Sequence, residues 1–313
     1  MSSNRSIISG IDWWTIGLFL VIALFGWLNI YGSSYSFDQT SIWDFSNRAG
    51  KQLVWLATAV VMGAIILMIE EKAYDVLGYI FYAAMIVLLI ITPIFARDIK
   101  GSYSWLTIGP ISLQPAEFAK YATALALAKL MSPYGFNLEK SNNFIRSVAL
   151  ILLPMVLIIM QKETGSALVY AAFFLVLYRE GMSGNILLIG LVAVVLFLLT
   201  LYFSKWYVLI GLAVLFGILM FFIERSKKNI WKMIAVFAVS AMFVFSVDFF
   251  FYQVLKQHQR NRINIILGIE KDTRGVGYNL HQSKIAIGSG GILGKGLLDG
   301  TQNRYSFVPE KHT

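Results

Sequence analysis

The chain has 313 residues, of which 58% are hydrophobic and 14% are charged, and its mean hydropathy is +0.68. A soluble protein keeps about a quarter of its residues charged, so this composition excludes an ordinary soluble domain. The absence of cysteine excludes disulfides, thiol catalysis and cysteine metal sites. The net charge is +9, and the charges lie in the segments between apolar runs. This arrangement favours anionic lipid head groups over nucleic acid as a partner.

Nine apolar runs follow one another along the chain. A helix needs about 20 apolar residues to cross the hydrocarbon core, and it satisfies its own backbone hydrogen bonds there. The sequence therefore predicts an all-α, polytopic membrane helical bundle with about nine transmembrane helices, forming a single domain over residues 1–313. The runs are Trp13–Tyr31, Leu53–Ile69, Val76–Phe95, Ala116–Leu130, Val148–Gln161, Ser166–Tyr178, Ile186–Phe203, Trp206–Ile223 and Trp231–Tyr252.

The lysines and arginines of the short connecting segments predict the orientation. With a cytoplasmic N-terminus, ten of them lie inside and six lie outside, which agrees with the positive-inside rule. Segment Gln253–Thr313 then follows the ninth run on the outside, and it holds nine of the 26 basic residues. We expect it to be a folded extracytoplasmic loop segment with an amphipathic helix near Leu280–Ile287.

Polar side chains inside apolar runs are functional candidates, because a membrane makes them costly. The first group begins at Pro115, which is typical of a first helical turn and places Glu117 and Lys120 three residues apart on one face. The second is segment Gln161–Gly165, which interrupts an apolar stretch and predicts a tight turn between two spans. The alternatives are an ion pair that orients helices and an ordinary solvated loop.

Two further groups lie in the C-terminal segment. Between Glu270 and Tyr278, carboxylates stand beside Lys271 and Arg274 with two glycines, and a charged surface turn is the alternative. The glycine-rich stretch 288–300 fits neither the Walker nor the Rossmann pattern. On the residues alone, a transporter and a membrane enzyme both remain open.

Three motifs carry a resemblance to a known family. The stretch from Gly101 to Lys120 is similar to G-x-x-R-W-L…Q-P-S-E-x-x-K, and Gln161–Leu168 resembles Q-P-D-L-G-T-A-L. Asp272–Lys284 resembles D-P-x-G-x-G-Y-x-x-x-Q-S-K, and the similarity continues to Phe307–Thr313. On these motifs the chain resembles the RodA/FtsW/SpoVE (SEDS) family of peptidoglycan polymerases, and within it the branch that acts in cell elongation and cell shape.

The resemblance implies a peptidoglycan glycosyltransferase of the bacterial inner membrane that polymerises lipid II into glycan strands. The 4-hydroxyl of the acceptor sugar attacks the anomeric carbon of the donor, and undecaprenyl diphosphate leaves with inversion. The resemblance assigns the base to Asp272, with a divalent cation (Mg²⁺ or Mn²⁺) as an optional cofactor and a class B penicillin-binding transpeptidase as the partner. The residues implied for substrate binding are Glu117, Lys120, Glu163, Arg274, Lys284 and Lys295.

The chain departs from the family pattern at several positions. Ser104 stands where the family has an arginine, Lys162 where it has a proline, and Glu163 where it has an aspartate. Thr273 and Arg274 replace a proline and a hydrophobic residue. These departures leave the roles of the turn and of the loop open to test.

Two larger differences concern length. The two spans within Ile186–Ile223 are additional to the usual seven before the large loop, and the family pattern continues beyond the position of Thr313 with three more spans. The resemblance therefore implies a truncated chain, and a truncated chain can be inactive. A lipid II flippase or transporter and a non-catalytic scaffold of the elongation machinery are the alternative functions.

Overall fold

The computed structural model describes residues 10–34, 47–96, 102–109, 111–222, 226–255, 257–269, 277–291, 294–296, 299–300 and 307. Helices dominate these residues, and one short antiparallel strand pair joins Leu106 to Leu113. In chain order the elements are α1 (Trp13–Ser34), α2 (Arg48–Met68), α3 (Glu71–Phe95), β1 (Leu106–Ile108), β2 (Ile111–Leu113), α4 (Pro115–Met131), α5 (Ser141–Met160), α6 (Thr164–Leu168), α7 (Ala171–Arg179), α8 (Gly184–Tyr202), α9 (Lys205–Phe222), α10 (Lys227–Phe249), a π-helical turn (Phe250–Val254), α11 (Gln257–Ile266) and α12 (Tyr278–Gly290).

Seven helices among the described residues are long and apolar enough to cross a membrane, namely α1, α2, α3, α5, α8, α9 and α10 with its π-helical turn. They coincide with seven of the nine predicted spans. The other two predicted spans fall on α4, which has 17 residues, and on the short pair α6 and α7. The chain is therefore a multi-pass helical membrane protein, as predicted, whereas the number of nine spans stays a prediction.

Residues 69–195 form one of two compact units, and the packing of α3 against α4 lies at its centre. The buried face of α4 is built from small side chains, among them Ala116, Ala119, Ala122 and Ala126. On α3, Gly78 lies so close to α4 that a Cβ atom there would be 3.5 Å from a backbone oxygen of α4. Small residues let helix backbones approach closely in membranes, so this composition explains the tight pairing.

Helix α5 completes the core of this unit. The Tyr82 hydroxyl of α3 donates to the backbone oxygen of Leu150, 3.0 Å away, and so joins α3 to α5. Pro154 lies inside α5 and is buried. The largest fully buried apolar side chains of the cluster are Leu89, Leu127, Ile151, Ile158, Tyr170 and Leu177.

The second compact unit comprises residues 1–68 and 196–313. The indole of Trp27 in α1 donates to the backbone oxygen of Ala49 at the start of α2, over 3.0 Å. Edge-to-face ring contacts join α9 to α10 through Phe216 and Phe237, with ring centroids 5.5 Å apart. Such pairs stabilise an interface beyond their buried area.

The described part of the C-terminal segment contains two helices. Helix α10 continues into the π-helical turn, whose end is closed by the Leu255 N–H donating to the oxygen of Phe250. Helix α12 occupies the predicted position near Leu280–Ile287, but its apolar residues are distributed around the helix, so the prediction of an amphipathic helix was wrong in that respect. The extracytoplasmic location of the segment remains a prediction.

The α3–α4 contact can be tested by overfilling it. We expect Ala122→Leu to destabilise the protein by about 1–3 kcal/mol, because a fully buried alanine leaves no volume for three added carbon atoms. The control is Ala124→Leu, at an exposed position of the same helix. Thermal unfolding in detergent, followed by circular dichroism, should show a lower midpoint for Ala122→Leu only. Equal midpoints for the two variants would contradict this packing.

Candidate functional site

The turn between α5 and α6 forms as predicted: α5 ends at Met160 and α6 begins at Thr164. The side chain of Gln161 is buried, and its Nε2 donates to the backbone oxygen of Leu89 in α3, 2.8 Å away. Its Oε1 is buried without a hydrogen-bond partner among the described residues. The turn is therefore fixed to the middle of the unit rather than being a free loop.

Glu163 is held by serine hydroxyls. The Oγ atoms of Ser102 and Ser104 lie 2.9 and 2.7 Å from Glu163 Oε1, and the two hydroxyls are 2.8 Å from each other. Ser166 donates to Glu163 Oε2 over 3.4 Å. Hydrogen bonds to a carboxylate are stronger than those between neutral groups. This serine–glutamate cluster ties segment 102–104, which leads into β1, to the turn.

Lys162 adopts an unusual backbone conformation between these two residues. Its φ is +63°, and it is the one residue other than glycine with positive φ in the described part of the chain. Its Nζ lies 5.0 Å from the centre of the Tyr103 ring. The N–H of Tyr103 donates to the oxygen of Gln161 over 3.2 Å, so the backbone of Tyr103 is joined to the turn.

Helix α4 carries the second polar group, at its N-terminal turn. The helix begins at Pro115, as predicted, and the Lys120 ammonium contacts the Glu117 carboxylate at 2.8 Å, which confirms the predicted pair. Half of the Glu117 side chain is exposed. The hydroxyl of Tyr170 is buried and has no hydrogen-bond partner among the described residues. Glu117 is thus half exposed, and its charge is paired with that of Lys120.

Two further predicted site residues, Lys284 and Lys295, lie in the other compact unit. Lys284 is exposed on α12, and Lys295 is exposed in the segment that follows it. Asp272 and Arg274 lie outside the described residues, so the assignments of base and phosphate ligand stay predictions. Within residues 69–195, the structure thus forms two separate groups, one around Glu163 and one around Glu117.

Several polar residues were missed by the sequence argument. Ser102 and Ser166 have no charge, and Ser166 stands only at the edge of an apolar run, so no signal marked them before the fold placed them on Glu163. Asp248 carried a signal that was passed over, because it is a charged residue inside an apolar run. It pairs with Lys205 at 2.9 Å and joins the end of α10 to the start of α9.

Comparisons with known proteins place these groups in context. The family model for cell cycle proteins of the FtsW, RodA and SpoVE type matches residues 12–210 and 208–313. The chain is 29% identical to the peptidoglycan glycosyltransferase RodA of Treponema pallidum, over 98% of this chain and 75% of that protein. It is also 29% identical to the peptidoglycan glycosyltransferase MrdB of Escherichia coli K12, over 82% of this chain and 56% of that protein.

A solved structure agrees in fold. A chain from a peptidoglycan synthase complex that coordinates polymerization and crosslinking matches with a TM-score of 0.59 and 26% identity. The match covers 90% of this chain and 66% of that one. The chain thus spans between about half and three quarters of the length of these relatives.

The serine–glutamate cluster predicts a measurable contribution to stability. Ser104→Ala removes a buried donor to a carboxylate, and we expect it to lower the free energy of unfolding by about 1–2 kcal/mol. Ser112→Ala, at an exposed position of β2, is the matched control and should have no effect. The midpoint of thermal unfolding in detergent reports both values. An unchanged midpoint for Ser104→Ala would show that the cluster does not hold the turn.

Proposed function

The chain belongs to the FtsW/RodA/SpoVE family of cell cycle proteins, and we propose on that basis that it acts as a peptidoglycan glycosyltransferase that polymerises lipid II during cell elongation. The observation that carries the proposal is the family match, which includes both the α4 motif and the loop segment 272–284. The relatives named above are peptidoglycan glycosyltransferases. Since the chain spans 56% of MrdB, activity, substrate and partner are proposed for it rather than carried over.

The proposed reaction joins two lipid-linked sugars. The 4-hydroxyl oxygen of the acceptor forms a bond to the anomeric carbon of the donor, and the bond from that carbon to the diphosphate breaks. Asp272 takes the proton of the attacking hydroxyl, a role that contributes about 10²–10⁴-fold to the rate when the carboxylate is within hydrogen-bond reach. Undecaprenyl diphosphate leaves with the bonding electrons, and the anomeric configuration inverts.

The leaving diphosphate needs positive charge where its negative charge develops. We assign this role to Lys284, Lys295 and Arg274, and the exposure of Lys284 and Lys295 supports it. A divalent cation stays a proposal without a defined ligand set. In the part of the chain that the structure describes, no group of three or more His, Cys, Asp or Glu side chains is placed to hold a metal ion.

The polar groups of residues 69–195 support a role in substrate binding. Glu117 and Lys120 form a neutral pair with an accessible carboxylate on α4, where a polar head group can form hydrogen bonds without leaving an isolated charge in the membrane. Glu163 has its oxygens occupied by serine hydroxyls. We therefore propose that Glu117 and Lys120 contact the substrate and that Glu163 holds the turn beside it.

A lipid-linked substrate accounts for the membrane location. We propose the bacterial inner membrane with a cytoplasmic N-terminus, which follows from the charge count and puts segment 253–313 on the side where glycan strands grow. A class B penicillin-binding transpeptidase is the proposed partner. The similarity to a chain of a peptidoglycan synthase complex supports this pairing.

The assignment of the base gives the sharpest test of this function. We expect Asp272→Ala, made in the complete gene product, to reduce polymerisation of purified lipid II by at least about 10²-fold, because the attacking hydroxyl loses its base. The matched control is Asp299→Ala, in the same segment but outside the matched motif. Polymer is measured on a gel, and each variant is first checked for a normal melting temperature. Unchanged polymerisation by Asp272→Ala would reject the assigned base.

The same preparation separates the alternatives. A protein that forms no polymer but carries labelled lipid II across vesicle membranes would be a flippase, and the proposed function would be wrong. A protein that does neither but still binds the transpeptidase, with or without Asp272, would be a scaffold. Each result contradicts the glycosyltransferase proposal on separate grounds.

A further inference from the structure

Three departures from the family pattern meet in one place. The pattern has arginine, proline and aspartate where this chain has Ser104, Lys162 and Glu163. Although Ser104 and Glu163 are 59 residues apart in sequence, their side chains are 2.7 Å apart, and Lys162 adjoins Glu163 in the same turn. The summed charge of the three positions is zero in both cases, but the positive charge has moved from position 104 to position 162. The three replacements therefore form one rebuilt site.

The backbone angle φ at position 162 differs from the one that the proline of the family pattern would require. Lys162 has φ of +63°, whereas the ring of proline fixes φ near −65°. The proline of the family pattern therefore could not adopt the conformation of Lys162. This conformation costs a residue with a side chain about 1–2 kcal/mol, and strained residues of this kind cluster at functional sites.

The ammonium of Lys162 is not neutralised by its neighbour. Both oxygens of Glu163 accept hydrogen bonds from serine hydroxyls. The ion pairs among the described residues join Lys120 to Glu117 and Lys205 to Asp248, and none includes Lys162. Among the described residues, the Nζ atom of Lys162 contacts the face of the Tyr103 ring. A cation–π contact orients an ammonium and leaves N–H groups for an anion.

The position of Lys162 suits a ligand at the membrane surface. The residue is exposed, it lies two residues beyond the end of the membrane-spanning helix α5, and the charge count predicts the extracytoplasmic side for it. The segment beneath it is fixed twice, by the Tyr103 N–H on the Gln161 oxygen and by the hydroxyls of Ser102 and Ser104 on Glu163. A cation fixed at this level, without a carboxylate partner among the described residues, can contact the phosphates of lipids.

We infer that Lys162, held over Tyr103, binds a lipid phosphate group on the extracytoplasmic side of the membrane. The shared chemistry is a phosphate at the head of a lipid, and its two sources are the diphosphate of the lipid-linked donor and the head group of an anionic phospholipid. The first source rests on the proposed function, whereas the second does not.

Binding in nanodiscs tests the inference without any turnover. The chain is placed in phosphatidylcholine nanodiscs, and its affinity is measured by native mass spectrometry for undecaprenyl diphosphate and, separately, for added phosphatidylglycerol. We expect Lys162→Gln to weaken binding of at least one of them by about 10-fold, the value of one charge-assisted contact. Lys162→Arg should stay within about threefold, because it keeps the charge. Undecaprenol, which lacks phosphate, should bind all variants equally.

Two controls separate charge from conformation and from general electrostatics. Lys162→Asn removes the charge but tolerates positive φ, so it should lose binding as Lys162→Gln does while keeping a normal melting temperature. Lys51→Gln removes an exposed lysine predicted on the same side and should have no effect. Equal loss in Lys51→Gln, or retained binding in both neutral Lys162 variants, would overturn the inference.

The outcomes also distinguish this inference from the proposed function. Loss confined to undecaprenyl diphosphate assigns Lys162 to the donor, and loss confined to phosphatidylglycerol assigns it to the surrounding bilayer. Both support phosphate binding by Lys162. A protein that polymerises lipid II and binds both lipids equally well with and without the Lys162 charge would retain its function and refute the inference alone.

Discussion

The hydroxyls of Ser102 and Ser104 converge on one oxygen of Glu163, and the polar group around the α5–α6 turn depends on this contact. It joins the segment before β1 to the break between α5 and α6, while Gln161 joins the same break to α3. A chain that leaves its helical state near a membrane must satisfy the freed backbone and side-chain groups within the protein. Here three serines hold the Glu163 carboxylate and Gln161 donates to Leu89, so the backbone on both sides of Lys162 is fixed.

The two polar groups of residues 69–195 differ in how their carboxylates are stabilised. Glu117 and Lys120 are neighbours on one face of α4, and they neutralise each other within one turn of that helix. Glu163 is instead held by neutral hydroxyls, and no basic side chain pairs with it among the described residues. On the two proposals above, the carboxylate of Glu163 serves structure and the charge of Lys162 beside it serves recognition.

Local features were readable from the sequence. The start of α4 at Pro115, the pair of Glu117 with Lys120 and the turn at 161–163 each depend on residues a few positions apart, and all three were predicted. The seven long spans follow from composition alone. What could not be predicted were contacts across the chain, such as Ser104 with Glu163 or Lys205 with Asp248, because they depend on how helices pack.

The number of membrane spans depends on a feature that apolar runs do not reveal. The apolar run Ser166–Tyr178 is divided in the structure, since α6 ends at Leu168 and α7 begins at Ala171. Hydropathy measures how apolar a stretch is and does not report a break in its hydrogen bonds. Short helices of this kind are compatible with a membrane only when protein surrounds them, and Tyr170 at the break is indeed buried.

The π-helical turn at Phe250–Val254 defines where the membrane-spanning helix α10 ends. Leu255 has an extended backbone, so the helix stops there, and its N–H is still paired with the oxygen of Phe250, five residues earlier. A π-helical turn pairs residues five apart, whereas an α-helix pairs residues four apart. The 3.6-residue period that defines the faces of α10 therefore does not apply to the last five residues of this span.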